Sequence, residues 1–306
     1  MLNIAPGALT AEQAAYLNDM HTDIRVLLPR ISESIFKGRS LTKNENSAKN
    51  TVASVNVGKV VFSEKLQRAQ ETRYNSLYYA QRWAGLREWT SNYLITKRDD
   101  LSGLKTYMQD LMAGLPAAAT ELANQVGVSA LLGTAKVGDD VISAKDVALP
   151  DKNVISWDPE TEDFTDVLEN VKQSFSDAKV SLNAKRKAFV LADGFVQKAL
   201  ANSPKYISIL NMNSKMLPEG EMGPYLSINP LDYPALPTRQ DTDGKTVYRI
   251  PVWVTDAITE VVWLDPLISV LPDASHEHDT SVHFGVYRNA VRNYEEGVRV
   301  IEFKRG

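Results

Sequence analysis

Apolar positions recur along this chain with two different periods, and each change of period marks an element. Over 10–28, Leu17, Met20, Ile24 and Leu28 return every three or four residues behind Thr10, a helix-capping type, and Pro29 closes the run. That spacing predicts a helix. A stronger stripe runs over 99–126: Leu101, Leu104, Met108, Leu111, Leu115, Leu122 and Val126 lie three, four or seven apart. Gly114-Leu115-Pro116 interrupts it, so a kink or break is expected there, and Gly127 suits a C-terminal stop. Residues 128–150 read as short strands and turns around Gly133 and Gly138-Asp139-Asp140. Asp158 can cap the next helix with Pro159 in its first turn, and Phe164, Val167, Leu168, Val171 and Phe175 form its apolar face. Ala188–Ala192 is an apolar strand candidate, and Asp193–Asn202 a short helix ended by Pro204.

The alternating segments lie elsewhere. Residues 37–76 are polar, basic and rich in Asn and Ser, with two β-like stretches, Thr51–Val57 and Lys59–Phe62, hinged at Gly58. So little core-forming material cannot bury much against itself. The segment therefore reads as an extended two-stranded arm that another chain must stabilise. Residues 77–96 are dense in aromatics (Tyr78, Tyr79, Trp83, Trp89, Tyr93), which anchor cores and interfaces. Residues 218–251 hold 6 of the 14 prolines and read as a stiff loop. Strands are expected at Thr246–Thr255, after the turn Asp241-Thr242-Asp243-Gly244, and at Glu260–Leu264. Val282–Arg292 and Val298–Phe303 alternate around Glu295-Glu296-Gly297 and read as a closing hairpin.

Composition narrows the class. With 306 residues, 43% hydrophobic and 24% charged, the chain has enough material for about two domain-sized units. Having no cysteine excludes a disulfide framework, a thiolate metal site and a Cys nucleophile. No apolar run reaches the length of a membrane helix, and no membrane partner is expected. Met1–Pro6 carries neither a basic nor an apolar leader region, so secretion by a signal peptide is not expected.

Charge adds an asymmetry to the net −4. Residues 37–73 hold eight bases (Lys37, Arg39, Lys43, Lys49, Lys59, Lys65, Arg68, Arg73) against three acids. Residues 151–169 hold seven acids (Asp151, Asp158, Glu160, Glu162, Asp163, Asp166, Glu169) against Lys152. Two readings fit: solvated faces, or head-to-tail association of one copy's basic arm with a neighbour's acidic patch. Lys and Arg in the arm also allow non-specific phosphate contact, but no base-stacking pattern accompanies them.

Catalytic chemistry finds little support. Gly244-Lys245-Thr246 resembles the end of a phosphate-binding loop, but Arg239 stands where that loop needs glycine, and a turn into a strand is expected there. His276, His278 and His283 cluster near Asp273, Glu277 and Asp279, the one constellation a metal-dependent enzyme could use, yet the spacing matches no standard site. No catalytic, cofactor-binding or metal-binding residue is assigned, no cofactor is expected, and the chain reads as a non-enzyme.

The order of elements, with Val154-Ile155-Ser156-Trp157-Asp158-Pro159 leading into Phe164–Phe175 and then Arg186–Leu200, resembles the major capsid protein of tailed phages, in particular the lambda-type capsid protein E superfamily. Trp83–Asp100, leading into a helix over 99–132, looks like that family's passage from extended loop into spine helix. Two features depart from the family: Pro116 inside the spine, and the Pro-rich 218–251. The resemblance implies an α+β fold with an N-terminal arm (1–35), an extended β-loop (36–76), a peripheral domain with a spine helix (77–149 and 285–306) and an axial domain (150–284). It implies a structural subunit that assembles with itself, as hexamers and pentamers, into the icosahedral head of a tailed phage around double-stranded DNA. Portal, scaffolding and decoration proteins are the implied partners, with non-specific contact to packaged DNA. The implied location is the virion, after assembly in the host cytoplasm. The shell of a cellular protein nanocompartment is the alternative of the same fold.

Overall fold

The computed structural model describes residues 34–44, 51–57, 79–85, 88–95, 117–137, 140–143, 149–183, 186–212, 222–272 and 280–305. The expected helix 10–28, the strand Lys59–Phe62, the 99–116 part of the long stripe, His276 and His278 lie outside them.

Strand pairing sorts the described residues into two larger sheets and two ribbons. The six-stranded sheet takes β7 (Val154–Ser156), β8 (Ala188–Ala192), β9 (Ile228–Asp232), β10 (Thr238–Gln240), β11 (Thr246–Val254) and β14 (Val298–Phe303), in the order β7-β14-β11-β8-β9 with β10 also on β11. The four-stranded sheet takes β1 (Leu41–Asn44), β4 (Glu88–Ile95), β12 (Ile258–Pro272) and β13 (Thr280–Arg292), in the order β1-β12-β13-β4. β2 (Thr51–Val57) pairs antiparallel with β3 (Tyr79–Gly85), and β5 (Thr134–Val137) with β6 (Asp140–Ser143). Val137 faces Asp140 at the end of this ladder; Gly138 and Asp139, of the expected Gly138-Asp139-Asp140 turn, lie outside the described residues.

β8 is buried at all five residues, as its unbroken apolar run requires of a strand covered on both faces. The Pro-rich stretch is not only loop. Pro230 lies in β9, parallel to β8, and Pro251 in β11. Both are tolerated for a positional reason. Ser227 O and Tyr233 N bond towards β8, so by alternation Pro230 turns its nitrogen to the outer edge. Arg249 N bonds to Pro237 O, away from β14, and Pro251 faces that same side at the step where β10 gives way to β8.

Three helices show how local signals were overridden. Helix α1, described from residue 117 to 132, runs through Gly127 and stops at Gly133, whose φ of 76° is the left-handed C-terminal conformation. Gly127 is instead a contact residue: a Cβ there would lie 2.3 Å from the Phe36 ring. Helix α2 (Phe164–Asp177) is capped by Asp163, which accepts from Thr165 N, rather than by Asp158. Asp158 closes the preceding turn, accepting from Glu160 N at 3.1 Å and from Thr161 Oγ1 at 2.8 Å. The five predicted core residues of α2 are all buried, each contributing about 2 kcal/mol of apolar burial. Helix α3 (Gly194–Asn202) has Asp193 as its cap, and Pro204 opens a further helix, α4 (Pro204–Met212), at the first-turn position proline suits.

Two arginines close the longer helices. Arg292, fully buried, donates to Leu131 O at 2.9 Å near the end of α1. Arg299 donates to Ser174 O at 2.8 Å in the last turn of α2 and lies over the Phe175 ring. Burial pulls the Arg299 pKa down, and the negative end of the helix dipole offsets part of that penalty.

The expected hairpin of Val282–Arg292 with Val298–Phe303 does not form. β13 pairs with β12 and β4, while β14 pairs with β11 and β7. Asn293 and Tyr294 are tied to Asp256, so the turn carries the chain from one sheet to the other. A cut at 285 would split β13, and β14 belongs with 154–254 rather than with the four-stranded sheet, because ladder partners and not chain order define each sheet.

Candidate functional site

The feature that separates this fold from a self-contained α+β body is the excursion between β1 and β4. Asn44 is level with Val262, Val262 with Arg288, and Glu88 with Tyr287. The chain thus leaves the four-stranded sheet and re-enters it at the same height, three strand spacings apart, about 14 Å. Between these points lies the β2–β3 ribbon, with Thr51 opposite Gly85 at its base and Val57 opposite Tyr79. Among the described residues neither ribbon strand joins a ladder with a third strand, although β3 touches β13. Unpaired ribbon edges are ready-made pairing surfaces. Thr51–Val57 is the strand expected from its alternation. Among the described residues its partner is Tyr79–Gly85; Lys59–Phe62, the second stretch expected in the arm, lies outside them.

The first residues of the expected loop belong to the body. Phe36 is wholly buried, its ring 5.1 Å from that of Trp253. Ile35 N donates to Asn124 Oδ1 at 2.9 Å, and Trp253 Nε1 to Arg39 O at 3.0 Å. The Ser40 hydroxyl lies 2.9 Å from Phe36 O and 3.1 Å from Glu260 Oε2. Burial pushes the Glu260 carboxyl above its ordinary range, against the pull of Arg288 and the hydroxyls of Ser40 and Ser34. The turn 34–40 is thus pinned to α1, β11 and β12 before β1 begins. Sequence reasoning placed Phe36 in the loop; the signal for its burial was the apolar pair Ile35-Phe36 just ahead of the polar run.

The acidic pole divides on inspection. Lys205 is paired with Asp166 and with Glu169, the latter at 3.3 Å, and Tyr225 OH donates to Glu169 at 2.7 Å. Burial, together with Glu169, pushes the Tyr225 hydroxyl up to about 12. Asp158 is used in its turn, whereas Glu160 and Glu162 are exposed. Trp157, from the Trp-Asp-Pro segment, is a core node: its ring lies 4.7 Å from Phe164 and 4.9 Å from Phe303, and its indole donates to Glu162 O. His283 lies in β13 opposite Ser269 and Asn92. Gly244-Lys245-Thr246 turns from β10 into β11, with Gly244 at φ 73, so no helix follows to receive a phosphate.

A cleft of about 340 Å³ lies beside Arg39, Phe189, Gln197, Asn229 and Asp232. Its polar groups bond within the chain: Gln197 to Ala192 O and Asp232, Asn229 to Ala188 O, Arg39 to Ile35 O. They stiffen a seam along β9 rather than converge on an empty centre.

The phage capsid protein family model matches residues 38–305, which spans the excursion, both sheets and the helices between them. The chain belongs to the phage capsid protein family. Solved structures agree on the fold. The capsid of Ralstonia phage GP4 superposes with a TM-score of 0.69 at 11% identity, covering 89% of this chain and 91% of that one. The capsid structure of cyanophage P-SCSP1u gives 0.61 at 12% identity, covering 89% of each chain. Mycobacterium phage Che8 gives 0.55 at 16% identity, covering 88% and 91%. None of the curated proteins matches this chain in sequence. The fold is therefore that of tailed-phage capsid proteins, and the role that goes with the family is structural, a subunit of the head shell.

Proposed function

We propose that this capsid subunit builds its shell by lending the 45–87 excursion to a neighbouring copy. Copies in hexamers and pentamers then close an icosahedral head around double-stranded DNA. The observation that carries this reading is the level exit and re-entry at Asn44 and Glu88, between which lies a ribbon whose edges are unpaired among the described residues. In this reading the four-stranded sheet with α1 is the peripheral part and the six-stranded sheet with α2–α4 the axial part. The bases of 43–73 meet either a sister subunit's acidic residues or the packaged DNA. Assembly takes place in the host cytoplasm, with portal, scaffolding and decoration proteins as further partners. Many such contacts, each weak, add up when symmetry closes them.

The test is assembly of the purified chain, followed by sedimentation velocity and negative-stain microscopy, alone and with a scaffolding protein supplied in excess. Closed particles of uniform size are expected. A species that stays at 34.0 kDa under every condition would overturn the proposal.

A further inference from the structure

The turn 34–40 leads directly into β1 and touches three elements of the body. α1 holds it through Asn124 and Gly127, β11 through Trp253, and β12 through Glu260. The contact with α1 has no slack. Ideal Cβ atoms at residue 127 would sit 2.3, 2.5 and 2.8 Å from Cε2, Cδ2 and Cζ of Phe36, so the ring occupies the space where any other residue's side chain would begin. The ring also packs against that of Trp253, which itself packs on Phe189. β1 starts one residue after Ser40 and runs parallel to β12 for only four residues before the chain leaves the sheet. A four-residue ladder gives a weak grip on direction. The seat of Phe36 lies immediately upstream of it.

We propose that Phe36, seated on Gly127 and wedged against Trp253, is the positioning residue that sets the direction in which the ribbon leaves the subunit. The competence of the subunit to reach its neighbour therefore depends on this seat. The inference rests on the assembly reading given above, and it concerns a residue that touches no neighbour itself. Lifting the ring moves the turn, and the turn moves β1 relative to β12. The six-stranded sheet does not follow, because β11 is held independently by β14 and β8.

Gly127→Ala, Phe36→Leu and the double variant test this with two readouts, hydrogen exchange of the unassembled subunit and yield of particles. In Gly127→Ala the amides of Leu41–Asn44 should exchange at least tenfold faster, while those of β11 and β14 keep the wild-type rate. Particle yield should fall at least tenfold. Of the three ring atoms that the new methyl meets, Phe36→Leu in the same chain removes Cε2 and Cζ and replaces the ring-fixed Cδ2 by a methyl that can rotate away, so the double variant should recover part of the way towards wild type on both readouts. Unchanged exchange at Leu41–Asn44 in Gly127→Ala would overturn the proposal. An equal rise in β11 and β14, or faster exchange with full particle yield, would do the same. Should Gly127→Ala fail to fold, Phe36→Leu alone decides: exchange at β1 several-fold faster supports the seat, and wild-type exchange refutes it. If the wild-type chain forms no particles, the assembly reading fails while the exchange readout still decides this one.

Discussion

Glu260 shows most directly how a single residue's surroundings set its chemistry. The residue is 6% exposed, and burial raises the pKa of its carboxyl above the unfolded value. The folded state therefore binds that proton more tightly than the unfolded chain does. The residue costs stability at neutral pH, and part of that cost is relieved as pH falls from the folded pKa towards the unfolded one. Glu260→Gln should raise the melting temperature at pH 7, and the gain should shrink on acidification. Thermal unfolding from pH 7 to pH 4 checks this, and a gain that grows with acid would contradict it. Glu302 has the opposite sign. Burial pushes its pKa up, but hydrogen bonds and charge from Arg239 and Arg249 more than offset that and hold it below the ordinary value. Its contribution is present above the unfolded pKa and is lost as pH falls through the folded one. Glu302→Gln leaves the largely buried Arg249 without its carboxylate and should cost about 3 kcal/mol at pH 7, measured by denaturant unfolding.

At the scale of elements, helix ends were less legible than helix faces. The apolar face of α2 followed from spacing alone, since a 3.6-residue period admits one buried stripe. Its start did not, because Asp158 and Asp163 are both capping types, and the bonds that hold 158–162 in a turn, from Glu160 N and Thr161 Oγ1 to the Asp158 carboxylate and from the Trp157 indole to Glu162 O, come from the folded structure. Gly127 and Gly133 posed the same ambiguity. The first is demanded by a ring from elsewhere in the chain and the second by a positive φ. Gly133→Ala should therefore cost about 1 kcal/mol through the left-handed backbone alone, read as a lower denaturation midpoint at unchanged slope. Asp193 serves α3 twice, accepting from Val196 N and pairing with Arg305, whose guanidinium lies 4.1 Å from the Tyr248 ring centre. Asp193→Ala should cost about 1–2 kcal/mol and speed amide exchange in the first turn of α3.

For the whole molecule, the excursion gives a geometric prediction. Asn44 and Glu88 lie about 14 Å apart, a gap that six to eight Gly/Ser residues can span, by order of magnitude. Replacing 45–87 by such a linker should leave a folded subunit whose cooperative unfolding is retained and which forms no particles. Loss of the unfolding transition would mean that the ribbon belongs to the core. The sequence by itself determined the elements whose own period carries their burial: the α2 face, the β8 run, the alternation of Thr51–Val57 and the polar, basic character of the segment around it. It also supplied the element order that the family match supports. Only the tertiary structure decided which strands are neighbours. It split β13 from β14 into different sheets, paired Thr51–Val57 with Tyr79–Gly85, and drew Phe36 into the core. The reason is that hydrophobic periodicity reports which face of an element is buried, whereas the identity of the partner depends on contacts far apart in the chain, which no local pattern encodes.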